Sequence, residues 1–397
     1  MMVPMQRYLD AQVAADLSRK MVILTGPRQV GKTTMARQFA ARFSASGEAN
    51  PAQYFNWDVP EHRATLRGGA WTRAAPLLVF DEIHKMSDWK TWLKGVYDGK
   101  SEAQRILVTG SARMETFRQS GPSLAGRFHA LRLHPISVHE WCAQTAPPFA
   151  PEPGQALAQL LARGGFPEPF LAQDATTAER WRTDYFTGLI REDIVEFSRI
   201  GELNAMRLFV ELLRSRTGAP LSLASIARDL AVSPVTLRRY LDILQALFIV
   251  FIVRPWNKNI GRATQQMPKV YFFDNGLVKS DGDDGASGAQ RFENAVAAML
   301  AKHADFLRDS TGREIGLHYI RTKDGSEIDF ALSDNDRLTD LIECKWADTA
   351  VSRALVRFAG EHPGVRATQL VHTLDHEQRR GNVDVVPAGP WLARLAA

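Results

Sequence analysis

The hydrophobic pattern changes character along the chain. Between Gln6 and Trp141, short continuous apolar runs alternate with stretches of helical period: Met21 to Leu24, Leu77 to Phe80 and Arg105 to Thr109. Runs of that length suit strands buried on both faces, and their alternation with helices predicts an α/β domain built on a parallel sheet. A Pro/Ala-rich break, Gln144 to Gly154, separates this region from a helical one that continues to about Trp256. A second break, Ser280 to Ala289 (SDGDDGASGA), is too rich in Gly and Asp to supply core. The last hundred or so residues return to an α/β pattern, and no internal repeat is visible. The expected division is residues 1–145, 146–260 and 261–397.

Composition narrows the class only a little. At 397 residues the chain exceeds what one core usually serves, which fits several domains. The formal charge of +5 is mildly basic; it is compatible with a nucleic-acid partner and says nothing of fold. The two cysteines, Cys142 and Cys344, lie far apart without metal-ligand spacing, which argues against a disulfide scaffold or a zinc site and for a reducing, cytoplasmic setting. The N-terminus lacks the apolar run of a signal peptide, and the stretch Leu244 to Val253 is far below the roughly 20 residues that span a bilayer. No membrane partner is expected.

The first candidate chemistry follows the Met21 to Leu24 run. Gly26-Pro27-Arg28-Gln29-Val30-Gly31-Lys32-Thr33 is G-x-x-x-x-G-K-[ST] between a strand and a helix that opens at Thr34. Glycines let successive backbone N–H groups converge on phosphates, and the helix N-terminus adds partial positive charge. Lys32 is placed to reach the β- and γ-phosphates of ATP and Thr33 to hold Mg²⁺. Leu77-Leu78-Val79-Phe80-Asp81-Glu82 is an apolar strand ending in two carboxylates, where the ligand crevice of a parallel sheet lies. Asp81 is expected to hold Mg²⁺ and Glu82 to polarise the attacking water. The third run ends in Thr109-Gly110-Ser111; a likeness to AAA-type ATPases, which carry a polar γ-phosphate sensor at that position, implies Thr109 or Ser111 as the candidate. Arg127 is a candidate arginine finger across a subunit interface, with a surface salt bridge as the equal alternative and Arg113 competing for the role. A homo-oligomer is expected by analogy with AAA proteins.

Leu223 to Leu230 and Val235 to Phe248 read as two helices joined by a short turn. Ser233 is a good N-cap and Pro234 a good first-turn residue. With the strand-like Phe248 to Val253 behind them they predict a winged helix-turn-helix. Leu237, Leu241 and Leu244 face inward and Arg238 and Arg239 outward, where DNA contact is one reading, joined by Arg254 and Lys258. A protein-binding or lid role is the other.

In the last segment, Ile315 to Arg321 and Glu327 to Leu332 flank Lys323-Asp324-Gly325-Ser326 as a hairpin, and a strand over Leu341 to Trp346 follows. Side chains alternate along a strand, so Glu327 and Asp329 share one face, as do Glu343 and Lys345. Asp329, Glu343 and Lys345 match the D…(D/E)-x-K signature of restriction-endonuclease-like enzymes, in which carboxylates bind Mg²⁺ and the lysine helps deprotonate water. Glu293, on a helical stretch from Ala289 to His303, would complete the metal shell. Outward-facing charges on an antiparallel sheet are the competing reading.

Together, GPRQVGKTT, LLVFDEIHK, VTGSARM, LAGR, the two helices, KVYFFDNGL and RFENAV…GSEIDF…ECKWAD resemble a bacterial and archaeal family of AAA-type ATPases with a C-terminal restriction-nuclease-like domain. The resemblance covers nearly the whole chain. It implies roles for Lys32 and Thr33 in phosphate and Mg²⁺ binding, for Asp81 and Glu82 in hydrolysis, and for Glu293, Asp329, Glu343 and Lys345 at a second metal site. The function it suggests is an ATP-driven motor or switch acting on DNA with a Mg²⁺-dependent nuclease-like domain. The alternative is a regulatory or signalling ATPase whose other segments are binding modules.

Overall fold

The computed structural model describes residues 5–45, 50–110, 124–144, 151–188, 203–257, 267–279, 285–322 and 325–397. Ser111, Arg113, Lys258, Lys323 and Asp324 lie outside the described residues, as do parts of both predicted breaks. The chain divides into two compact units: Met1–His134 with Ala246–Phe248, and Pro135–Gln245 with Ile249–Ala397.

In the first unit, β1 (Met21–Thr25), β2 (Gln53–Asn56), β3 (Leu77–Asp81), β4 (Arg105–Thr109) and β5 (Phe128–Arg132) form one parallel sheet in the order β2-β3-β4-β1-β5. The α-helices among its described residues are α1 (Asp10–Leu17), α2 (Lys32–Ala45), α3 (Pro60–Gly68) and α4 (Trp89–Asp98). The three strands predicted from apolar runs are the three central ones. Leu77, Leu78, Val79 and Phe80 are fully buried, each contributing about 1.5–3 kcal/mol relative to exposure. Phe80 anchors an aromatic cluster with Trp92, Trp71 and Phe55 at centroid separations of 5.0, 6.1 and 6.3 Å. The edge strands β2 and β5 were not predicted, because each buries a single side chain, Phe55 and Leu131, and so carries no apolar run.

The second unit begins with helices: α5 (Val138–Cys142), α6 (Pro153–Arg163), α7 (Pro167–Phe170), α8 (Ala175–Gly188), α9 (Leu203–Ser215), α10 (Leu223–Asp229) and α11 (Pro234–Ala246). The Ser233 hydroxyl accepts the Thr236 N–H at 3.0 Å, so Ser233 caps α11 as its sequence predicts. Leu237, Leu241 and Leu244 are buried on α11, while Arg238 and Arg239 are exposed. Strands β6 (Val250–Pro255) and β7 (Lys269–Phe272) pair antiparallel.

β6 also pairs in parallel with β8 (Ile315–Arg321), which joins the helical region to the C-terminal sheet. This pairing explains why segments expected to be separate domains lie in one unit. The remaining strands are β9 (Glu327–Asp334), β10 (Arg337–Lys345), β11 (Arg366–Val371), β12 (Gln378–Arg380) and β13 (Val383–Pro387), and the sheet order is β12-β13-β11-β10-β9-β8-β6-β7. β8, β9 and β10 form an antiparallel meander, and β11 joins β10 in parallel after α13 (Arg353–Glu361). Asn335 and Asp336, both at positive φ, make the tight turn between β9 and β10. The long α12 (Gly285–Thr311) precedes the meander, and α14 (Ala388–Ala393) ends the chain. α12 starts inside the Gly/Asp-rich stretch predicted to be a break, so that break is shorter than its composition suggests. No helix among the described residues is long and apolar enough to cross a membrane.

Candidate phosphate site and carboxylate centre

The loop after β1, the candidate phosphate cradle, curls through left-handed backbone. Gly26, Gln29 and Gly31 all have positive φ, at 143°, 59° and 103°. Gly26 is obligatory for space as well, since a Cβ there would collide with the Leu133 carbonyl oxygen. Lys32 opens α2, and its ammonium donates to the carbonyls of Gly26 and Pro27 at 3.0 and 2.6 Å. The loop is clamped from behind by buried Arg7, whose guanidinium donates to the carbonyls of Val30 and His134, both at 2.7 Å. Arg7 lies outside the motif, and nothing in its local pattern marks it.

Neighbouring strands bring the other groups to the same edge of the sheet. Asp81 at the end of β3 pairs in register with Thr109 at the end of β4. The Asp81 carboxylate accepts hydrogen bonds from three hydroxyls: Thr33 at 2.9 Å, Tyr54 at 2.5 Å and Thr109. The candidate sensor Thr109 is therefore held on the carboxylate. Tyr54, from the unpredicted β2, was missed for the same reason as its strand. Burial and the bond to Asp81 push its phenol up to about 12, so it stays a donor. The Arg37 guanidinium lies 5.0 Å from the centre of its ring.

Glu82 takes a left-handed conformation, φ 57° and ψ 22°, which a non-glycine residue adopts at a cost of about 1–3 kcal/mol. Its N–H donates to the Thr109 carbonyl at 3.2 Å. Its carboxylate lies 3.3 Å from the Lys85 ammonium, which also meets Asp58 at 2.6 Å. Arg127 forms a two-pronged contact with Asp98 at 2.7 and 3.1 Å, the salt bridge that is one of its two readings. Lys32, Thr33 and Asp81 fit a Mg²⁺–nucleotide ligand: a lysine folded onto the loop, and a hydroxyl and carboxylate already in contact.

A second constellation lies in the C-terminal sheet and α12. The Lys345 ammonium meets Glu343 at 2.8 Å, confirming their common face, and Asp329 accepts the Cys344 N–H at 2.8 Å. Burial, followed by the charge of Asp329, pushes Glu343 up to about 7, with Lys345 pulling the other way. Its second oxygen, Oε2, is buried without a hydrogen-bond partner. Asp329 is also raised by burial, opposed by Lys269 and the Cys344 N–H.

Glu293 has different neighbours. Its Oε1 accepts the Tyr271 hydroxyl at 2.6 Å and lies 3.5 Å from the ammonium of Lys269, a residue 3% exposed. The same ammonium meets Glu327 at 2.5 Å. Burial acts to lower Lys269, yet Glu293, Asp329 and Glu327 together hold it above the usual lysine range. Burial and the charge of Asp329 raise Glu293 to about 7. Among the described residues no group of three or more His, Cys, Asp or Glu is disposed to hold a metal ion. Glu293, Asp329 and Glu343 thus lie near one another without forming a metal shell, and Tyr271 and Lys269 engage Glu293 Oε1. The residues present do not fit that metal shell. Glu327 is legible in the sequence only as sharing the face of Asp329, and Lys269 and Tyr271 only as members of the KVYFFDNGL run of similarity.

Comparison with known proteins gives these parts their kinship. Residues 18–142 match the family described as an AAA domain. Residues 154–281 and 289–391 match two domains of unknown function, DUF8612 and DUF4143. An uncharacterised protein of Mycobacterium tuberculosis is 28% identical over 369 residues, covering 89% of this chain and 78% of its own length. One from Methanocaldococcus jannaschii is 22% identical over 268 residues, covering 64% and 58%. Among solved structures, AMPPCP-bound DnaA from Aquifex aeolicus aligns with 60% of this chain and 86% of its own, at 12% identity and a TM-score of 0.33. The chain thus carries an AAA-type P-loop ATPase domain followed by a C-terminal DUF4143 domain, in the company of relatives that are themselves uncharacterised.

Proposed function

We propose that this protein is an ATP-hydrolysing switch or motor that acts on DNA. The observation that carries the reading is the meeting of Thr33, Tyr54 and Thr109 on the Asp81 carboxylate beside the Lys32 loop. Gly26, Pro27, Arg28, Gln29, Val30, Gly31 and Thr34 would enclose the phosphates, and Thr33 and Asp81 would hold Mg²⁺. The metal would supply neutralisation of phosphate charge. Lys32 would leave the Gly26 and Pro27 carbonyls for the terminal phosphates, and Glu82 would orient water. Arg127, released from Asp98, would serve a neighbouring copy in a homo-oligomer.

DNA is proposed as the partner because α10 and α11 form a capped two-helix unit with Arg238 and Arg239 exposed, followed by the antiparallel β6–β7 pair. This arrangement supports a winged helix-turn-helix. The αβββαβ order of α12, β8, β9, β10, α13 and β11 supports a restriction-nuclease-like build for the C-terminal domain, with Lys345, Asp329 and Glu343 at its centre. The engagement of Glu293 by Lys269 favours a second reading, in which this domain binds without cleaving.

Phosphate release is measured with single-stranded, duplex and branched DNA, for wild type, Lys32→Ala and Arg238→Glu/Arg239→Glu. The proposal expects hydrolysis lost in the first variant and its stimulation by DNA lost in the second. DNA affinity should fall steeply with salt. Hydrolysis unaffected by every DNA form, with negligible DNA binding, would replace DNA with a protein partner. Cleavage of the same DNA, with Asp329→Ala and Lys345→Ala as controls, separates the two readings of the C-terminal domain.

A further inference from the structure

We infer that Lys269 is a resident cation of the carboxylate centre, holding by an ammonium group the Glu293 side that a divalent metal would otherwise occupy. Lys269 begins β7, far in sequence from the D…(D/E)-x-K residues, and delivers its charge to Glu293 and Glu327 at 3.5 and 2.5 Å. A lysine this buried is stable only when paired. Four carboxylates gather here, on Glu293, Glu327, Asp329 and Glu343, and Lys345 is already engaged with Glu343.

The space around Glu293 Oε1 leads to the same conclusion. An oxygen that ligates Mg²⁺ needs a free lone pair and a metal about 2.1 Å away, usually with further waters around it. Here Oε1 takes the Tyr271 hydroxyl on one side and faces the Lys269 ammonium on another. On a third side runs the Gly218 backbone, where an added Cβ would come within 2.9 Å of this oxygen, so no side chain fits there. Gly218 has φ 78° and donates its N–H to the Val270 carbonyl at 2.9 Å, so this backbone is fixed to β7. A divalent ion on this oxygen would have to displace the phenol and sit against a buried positive charge. Glu293 Oε1 is therefore committed to the β7 strand. The geometry leaves any divalent ion the centre accepts to Asp329 and Glu343, whose Oε2 is buried without a hydrogen-bond partner.

This inference is independent of whether DNA is the substrate, and its test needs no activity. Mn²⁺ binding is measured by electron paramagnetic resonance on full-length, nucleotide-free protein carrying Asp81→Asn, which removes the phosphate-site carboxylate from the signal. The expected result is that Glu293→Gln changes Mn²⁺ affinity by less than about twofold. Lys269→Met should bind Mn²⁺ at least about tenfold more tightly, the scale on which loss or gain of a metal-supporting group is felt. Adding Glu293→Gln to Lys269→Met should abolish that gain, and Lys269→Arg, which keeps the charge, should show none. A tenfold loss of Mn²⁺ affinity in Glu293→Gln alone would overturn the inference, as would a folded Lys269→Met without gain. Should Lys269→Met fail to fold, the Glu293→Gln comparison decides by itself.

Discussion

The hydroxyl of Thr33 donates to the Asp81 carboxylate at 2.9 Å, so the first turn of α2 and the end of β3 meet through two side chains 48 residues apart. The contact places the hydroxyl and the carboxylate where one Mg²⁺ would touch both. Thr33→Ala should lower Mg²⁺-dependent ATP hydrolysis by about 10²-fold, the order expected when one electrostatic contact to a developing charge is lost. Thr33→Ser, which keeps the hydroxyl, should retain most of the rate. Steady-state phosphate release over a Mg²⁺ titration reads both. An unimpaired Thr33→Ala enzyme would remove Thr33 from the site.

How far the site could be read from sequence depended on the kind of contact each residue makes. Lys32, Thr33, Asp81 and Thr109 were found because phosphate binding on a parallel sheet requires local strings: a glycine loop into a helix, and apolar strands ending in polar groups. Tyr54 and Arg7 reach the same place through edge-strand and long-range backbone contacts that leave no local pattern. In the second unit, alternation showed correctly that Glu343 and Lys345 share a face. It could not show that Lys269 enters the centre from a strand more than 50 residues upstream, because that depends on β6 pairing with β8. The Gly/Asp-rich stretch misled for another reason. Helix propensity at Gly285 to Gly288 is poor, but the helix that follows is held by its packing further along, where Phe292, Val296 and Leu300 are buried.

Lys302 on α12 and Glu140 on α5 form an ion pair of 2.6 Å with both side chains almost fully buried. The lysine also donates to the Pro135 carbonyl at 3.0 Å and the Ser137 hydroxyl at 3.1 Å. Lys302→Met would leave a buried carboxylate without its cation, and should destabilise the second unit by about 3–5 kcal/mol. Adding Glu140→Leu should recover much of that loss, since removing both charges avoids the stranded one. Urea unfolding of Lys302→Met, Glu140→Leu and the double variant tests the coupling. Additive losses would mean the pair is not acting as a unit.

Asp274 ties the turn after β7 to the start of α7. Its carboxylate accepts the N–H groups of Gly165 at 2.5 Å, Phe166 at 3.1 Å and Gly276 at 2.7 Å. Burial pushes its carboxyl up to about 6, with the three backbone N–H bonds and Arg182 opposing. Asparagine has the same shape but only one accepting oxygen, so its amide NH₂ would face at least one of these donors. Asp274→Asn should therefore cost about 1–3 kcal/mol, the penalty of one buried unsatisfied polar group. Asp274→Ala should cost more, since it abandons all three donors. Thermal unfolding at pH 7.5 ranks the pair. An asparagine variant as stable as wild type would mean the carboxylate is not needed there as an anion.

The carboxylate centre sets a pH dependence whose sign follows from burial. Glu293 and Glu343 are both raised from their ordinary 4.5 to about 7, burial being the largest cause for each. Between those limits the folded protein holds protons that the unfolded chain has released. Stability from this source is therefore greatest on the acid side and falls as pH rises from 4.5 through 7. The histidines oppose it: burial lowers His303, His318 and His372, so the folded chain binds fewer protons than the unfolded one near pH 6 and gains stability as pH rises. The raw curve mixes the two, but the difference between wild type and Glu343→Gln does not, because the histidines are common to both. Glu343→Gln removes one of the charges that must be buried at high pH, and its partner Lys345 is one-third exposed and can turn to water. The variant should match wild type near pH 5 and melt about 3 °C higher at pH 8. Melting temperatures across pH 5–8 check this, and a variant less stable than wild type at pH 8 would show that Glu343 is ionised and favourably paired throughout.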